Sequence, residues 1–119
     1  MKLHLKVAVA SDSDEEFFGV GLLQLLEGID RHGSIQQAAR DMELSYVKAL
    51  KILNRVEREL GEPLLIRQKG GASRGKSELT PFARQFAANF AKLRNKLVKA
   101  GNQAFSEFSG RFKAKKDKK

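Results

Sequence analysis

Between residues 31 and 63 the chain reads "RHGSIQQAARDMELSYVKALKILNRVERELGEP", and its stop and start signals are too close together for anything but short, abutting helices. Gly33 is a left-handed cap, and Ser34 opens the next helix at once, with Gln37 three residues on in a capping-box pattern. "EL" interrupts that helix, Ser45 caps another, and Gly61 with Pro63 ends it. The shorter helix has a narrow stripe of Ile35, Ala38, Ala39 and Met42. The longer one, 45–60, lines a face with Ala49, Leu53, Val56 and Leu60, with Leu50 beside them. Two helices joined this tightly, the second longer and more basic, form a helix-turn-helix.

The exposed face of helix 45–60 carries Tyr46, Val47, Lys48, Lys51 and Arg55. A helix start normally favours acids, because unpaired N–H groups and the dipole make it positive. Here the third residue after the cap is Lys48, and no acid follows until Glu57. Such an end suits an anion supplied from outside, as by a DNA phosphate; the alternative is an ordinary solvated basic face.

Upstream, "LHLKVAVA" alternates Leu3, Leu5, Val7 and Val9 and predicts a half-buried strand. "SDSDEE" lacks the spaced glycine and terminal glutamate of a calcium loop and reads as a solvated turn. Gly19 and Gly21 form a hinge before a helix bearing Leu22, Leu25, Leu26 and Ile29, with Arg31 and His32 in its last turn. Downstream, Thr80-Pro81 starts a long helix, about 81–109. Phe86, Phe90, Leu93, Leu97, Ala100 and Ala104 recur along it at four- and three-residue steps, continued less regularly by Phe105 and Phe108. That heptad-like seam is too long for so small a core to cover, and predicts a coiled-coil-like antiparallel or crossed dimer contact through Phe86, Phe90, Leu93, Leu97 and Phe105; the alternative is a purely intrachain core. Gly101 weakens the helix by about 1 kcal/mol relative to alanine and allows a bend there.

With 119 residues the chain is expected to be one domain, mainly α with a small β component, and its formal charge of +9 is a nucleic-acid binder's footprint. More than half of that charge comes from "RFKAKKDKK", with six Lys or Arg against one Asp. Residues 110–119 therefore read as a basic, disordered tail, either solubilising or a nucleic-acid arm. Cysteine is absent and no apolar run approaches a membrane span, which fits a cytoplasmic protein without membrane contact. His4 and His32 have no serine-acid partner at a recognised spacing, so no enzyme is expected and no metal or cofactor site is seen.

One string argues otherwise. "GGASRGKS", 70–77, matches the G-x-x-x-x-G-K-S loop of nucleotide-binding proteins. That loop needs a helix starting at its Lys-Ser end, whereas here "SEL" reads extended and the next helix signal is Thr80-Pro81. "LLIRQK" and "SELT" instead read as two antiparallel strands, a wing over 64–80. Arg67, Lys69, Arg74 and Lys76 would meet phosphates from it, and its glycines allow close approach.

"GSIQQAARDMELSYVKAL", "LLIRQKGGASRGKSELT" and "FFGVGLLQLLEGIDRHG" together resemble the N-terminal winged helix-turn-helix domain of the ModE family of molybdate-responsive transcription regulators. More remotely they resemble the DNA-binding domain of LysR-type regulators. The resemblance covers about residues 16–109. It implies a homodimer on a palindromic double-stranded DNA site, paired through the first and last helices, with helix 45–60 in the major groove and the wing on flanking backbone. Ser34 and Gln36 would touch backbone; Ser45, Tyr46, Lys48 and Lys51 would face bases and phosphates; Arg67 and the wing would hold phosphates. Family members continue into molybdate-binding domains, for which a chain ending at Lys119 leaves no room, so two expectations stand: a stand-alone regulator that senses no molybdate, or one whose effector site lies elsewhere. Its wing also carries Ser73 and Arg74 where the family is richer in glycine. Two other readings stand beside DNA-binding regulation: a nucleotide binder using 70–77, and a winged helix used for protein contacts.

Overall fold

The computed structural model describes residues 1–66 and 76–112. Its elements run β1 (Val9–Ala10), β2 (Glu16–Phe18), α1 (Val20–His32), α2 (Ile35–Asp41), α3 (Tyr46–Leu60) and α4 (Pro81–Arg111). The mainly helical class and all four helices follow the sequence reading. Each helix starts on the residue expected to cap it or beside it. Ser34 Oγ accepts the Gln37 N–H at 3.1 Å, Ser45 Oγ the Lys48 N–H at 3.1 Å, and Thr80 Oγ1 the Ala83 N–H at 3.1 Å. Gly33 and Gly61 close α1 and α3 at φ 67° and 69°, the left-handed conformation in which a Cβ is strained.

Four expectations need correction. The strand at 3–10 shrinks to Val9–Ala10 and pairs with a strand the sequence reading missed, in register Val9↔Phe18 and Ala10↔Glu16 with an irregularity between. Leu3 and Leu5 stay exposed, because a strand needs a partner along its whole length and β2 is only three residues long. Gly21 is not a hinge: it lies inside α1, which Gly19 caps. The capping box of α2 is only half formed, since the Gln37 amide reaches Asp41 Oδ1 at 3.4 Å. Finally, α4 runs unbroken through Gly101 to Arg111, two residues past its expected end. Gly101 has a different role: a Cβ there would stand 3.2 Å from Leu5 Cδ2 and 3.6 Å from Leu3 Cδ2, so its bareness lets the N-terminal segment lie against α4.

The core is wholly apolar among the described residues. Leu25, Leu26 and Ile29 of α1 share one cluster with Ala38 and Ala39 of α2, Leu53 and Val56 of α3, and Ala83 and Phe90 of α4. Phe18 anchors β2 to α4, its ring edge-on to Phe86 and Phe90 at 4.8 and 5.0 Å. The contact between α1 and α2 is tight. A Cβ on Gly28 would sit 3.0 Å from Ala38 Cβ, so a glycine facing an alanine sets how near these helices lie.

Gly28→Ala should gain about 1 kcal/mol of helix propensity and lose about 1–3 kcal/mol to overpacking against a helix that cannot yield locally. Net destabilisation in a thermal or urea melt is the expected result, and Gly28→Val should be markedly worse. Phe18→Ala should cost about 3–5 kcal/mol by the same measurement.

Candidate nucleic-acid interface

The helix-turn-helix is built on one exact hydrogen-bond pattern after α2. Glu43 N–H donates to Arg40 O at 3.0 Å and Leu44 N–H to Ala39 O at 2.9 Å, the two bonds of a Schellman stop. Its left-handed residue is Glu43, at φ 57°. The chain thus reverses in three residues and arrives at Ser45 ready to cap α3. His32 Nε2 lies 2.7 Å from Asp41 Oδ2 and ties the ends of α1 and α2 together. The hydrogen bond from His32 is the main reason the Asp41 carboxyl is held below its ordinary value, against a smaller opposing effect of desolvation.

On α3 the buried side is Ala49, Leu53 and Val56. At 100° per residue the opposite ridge is Val47, Lys51, Asn54 and Arg58, with Lys48 and Arg55 on one flank and Tyr46 on the other. Tyr46 is 47% and Val47 61% exposed, so the core uses neither of these large side chains. The first turn of α3 holds no acid, as expected. Ser45 accepts from Lys48 N–H and keeps its own hydroxyl proton for an outside acceptor, as Ser34 does at the start of α2. Gln36 and Lys76 are exposed.

Sequence reasoning missed Asn54 and Arg58, although their spacing from Val47 and Lys51 would have found them. It also placed Arg55 on the exposed face. The structure sets Arg55 half-buried beside Ile52 at a cleft, off the central ridge.

The wing is rooted firmly. Leu65 and Leu79 form a single antiparallel bridge, with Ile66 N–H to Glu78 O at 2.8 Å and Thr80 N–H to Leu64 O at 3.0 Å. The two expected strands are therefore one bridge long among the described residues. Glu57 accepts the Leu64 N–H at 2.7 Å, fixing where the wing leaves α3. Thr80 Oγ1 donates to Pro63 O at 2.8 Å, fixing where it returns. Ser77 N–H donates to Gly33 O at 2.7 Å and so pins the wing beside the start of α2. That bond brings Lys76 next to the Ser34 end of α2. Arg67, Lys69 and Arg74 lie outside the described residues, as do the wing tip and residues 113–119. Residues 76–80 are not helical and α4 begins at Pro81, so the Lys-Ser end of "GGASRGKS" lacks the helix a nucleotide loop requires.

The seam on α4 divides in two. Phe90 is 4% exposed and packed on Phe18, so the chain's own core has claimed it and the expectation that it pairs with a partner is corrected; Phe86 also meets Phe18 but is only half-buried. Beyond Phe90 no residue of the helix is fully buried. Leu93, Leu97 and Phe108 are exposed there, and Phe105 is half-buried against Phe108 at 6.1 Å. No cluster of three His, Cys, Asp or Glu that could hold a metal ion occurs among the described residues.

Residues 20–84 match the model of the bacterial regulatory helix-turn-helix protein, lysR family. The chain is 37% identical over 71 residues to the molybdenum transport protein ModE of Azotobacter vinelandii, covering 60% of this chain and 26% of that protein. It is 35% identical over 78 residues to the molybdenum-pterin-binding protein MopA of Rhodobacter capsulatus, covering 66% and 29%. It thus spans between a quarter and a third of each of these relatives. Among solved structures, the CbnR_DBD-DNA complex aligns with a TM-score of 0.58 at 19% identity, over 71% of this chain and 92% of that one. The BenM_DBD/benA site 1 DNA complex aligns with a TM-score of 0.57 at 22% identity, over 74% and 93%. These likenesses establish the winged helix-turn-helix fold.

Glu43→Gly should stabilise the chain by up to about 1 kcal/mol, because it removes left-handed strain at the turn; a melt no higher than that of the unchanged chain would refute this account of the turn. A depressed Asp41 pKa contributes stability above the unfolded value and loses it as pH falls through the folded one. Asp41→Asn should therefore lower the melting temperature at neutral pH, with the deficit shrinking in strong acid.

Proposed function

We propose, because the chain belongs to the lysR family of bacterial regulatory helix-turn-helix proteins, that it is a dimeric, sequence-specific DNA-binding transcriptional regulator working in the cytoplasm. The observation carrying this reading is the first turn of α3. It is capped by Ser45, free of acids, followed by Lys48 and Lys51, and exposes Tyr46 and Val47 that the core does not need. Inserted in a major groove, α3 offers Tyr46, Val47 and Asn54 to base edges, the Val47 methyls suiting a thymine methyl. Lys48, Lys51 and Arg58 neutralise phosphates. Ser34, Gln36 and Lys76 sit where the start of α2 meets the wing and would take flanking backbone, joined by Arg67, Lys69 and Arg74 of the wing.

A second copy would cover Leu93, Leu97 and Phe108, with Phe105 beside them, on the part of α4 that lies beyond its own chain's core. A symmetric pair then reads a palindrome with half-sites about 34 Å apart, one helical turn. The relatives' names concern molybdenum, and the segment matched is the part of them that carries this fold. We assign it DNA recognition without a cofactor of its own. Selection from a random DNA pool, with and without molybdate, tests both assignments: a palindrome unaffected by molybdate is expected, and unselected DNA would overturn the reading.

Fluorescence titration over a salt series should show log affinity falling by about 0.9 per neutralised phosphate for each tenfold rise in salt. Lys48→Ala and Lys51→Ala should each flatten that slope by about 0.9 per protomer, whereas Lys92→Ala on exposed α4 should leave it unchanged. Leu93→Glu with Leu97→Glu should yield monomers in sedimentation; an unchanged mass would place the dimer contact elsewhere.

A further inference from the structure

A cleft of about 560 Å³ opens among the N-terminal segment, β2, the first turn of α1, α3 and α4. Its walls are mainly apolar, with Leu5, Val7, Phe17, Leu22 and Ile52 among them. Two arginines also line it, Arg55 of α3 and Arg94 of α4, both half-buried. Neither forms an ion pair among the described residues. The carboxylate of Glu16, which also lines the cleft, is already engaged by Lys6 Nζ at 3.0 Å.

We infer that this cleft binds a small organic anion with an apolar body, of the class of medium-chain or aromatic monocarboxylates. Its volume falls within the range of small-molecule sites, which combine apolar walls with a few polar anchors. Two partly desolvated, unpaired cations lining one space disfavour each other, and an anion bound there relieves both. Guanidinium forks match a carboxylate in two-point geometry, and the walls then take the hydrocarbon. An inorganic anion would leave those walls wet, and a phosphodiester would bring more polar surface than they suit. Because Ile52 and Arg55 belong to α3, the bound anion touches the helix assigned to DNA. The binding itself does not depend on that assignment.

Octanoate and 1-octanol are the probes, titrated into the isotope-labelled full chain without DNA and followed by amide shifts in two-dimensional NMR. Octanoate should saturate, with its shifts clustered at Val7, Ala8, Phe17 to Gly21 and Ile52. The neutral alcohol should bind at least roughly tenfold more weakly, having no charge for the arginines. Arg55→Gln and Arg94→Gln should each weaken octanoate by roughly tenfold with little change in melting temperature. The alcohol comparison uses the unaltered chain, so it decides the matter even if a variant folds poorly. Absence of saturation, equal binding of the alcohol, shifts centred on Leu93 and Leu97, or folded arginine variants that bind as before would each overturn the proposal.

Discussion

A missing methyl group sets the geometry of this molecule. Gly28 lets α1 approach α2 until Ala38 Cβ stands only 3.0 Å from where a Cβ would be, and both residues are buried there. The position of α2 fixes that of α3, because the intervening turn has no slack: its Schellman bonds are made and Glu43 is already left-handed. Any change in the α1–α2 spacing would therefore be passed to the exposed ridge of α3. Side chains that must meet a partner of fixed pitch need a support of this stiffness, since densely packed interiors transmit displacement instead of absorbing it.

The same economy governs the polar groups. Ser34, Ser45 and Thr80 each satisfy a helix start with a hydroxyl and not a carboxylate. None of the four described helices carries an acid in its first turn. The field of these ends is thus left uncompensated by the chain itself, which would cost stability in isolation and favours an anionic partner. The acid most firmly built into α3, Glu57, sits near its far end and holds the root of the wing. Placed near Ser45, it would have opposed phosphate.

Most of the architecture was legible in the amino-acid order, because its signals are local. Gly33-Ser34, Ser45, Gly61 and Thr80-Pro81 specify helix ends through backbone conformation and hydroxyl reach, and each did so here. The basic ridge was legible in part: Lys48 and Lys51 were evident, while Asn54 and Arg58 needed the buried face fixed before the opposite one could be drawn. Where "LHLKVAVA" misled, the cause was that alternation shows a capacity to pair but not the length of the partner. β2 offers three residues, and that decided the strand.

By itself, then, the sequence determined the helices, their caps, the tight turn between α2 and α3 and the charge of the face beyond it. All of these depend on neighbours a few residues apart. Only tertiary structure decided which apolar residues of α4 the chain keeps. Phe86 and Phe90 share one periodic stripe with Leu93 and Leu97, and no local rule separates them. Phe18 does so, by filling the space against the first pair and reaching no further. In the same way Arg55 became a wall of a cleft instead of part of the ridge, because β2 and the N-terminal segment fold against its flank of α3. Burial depends on what else arrives at a surface, and distant parts of the chain supply that only when it folds.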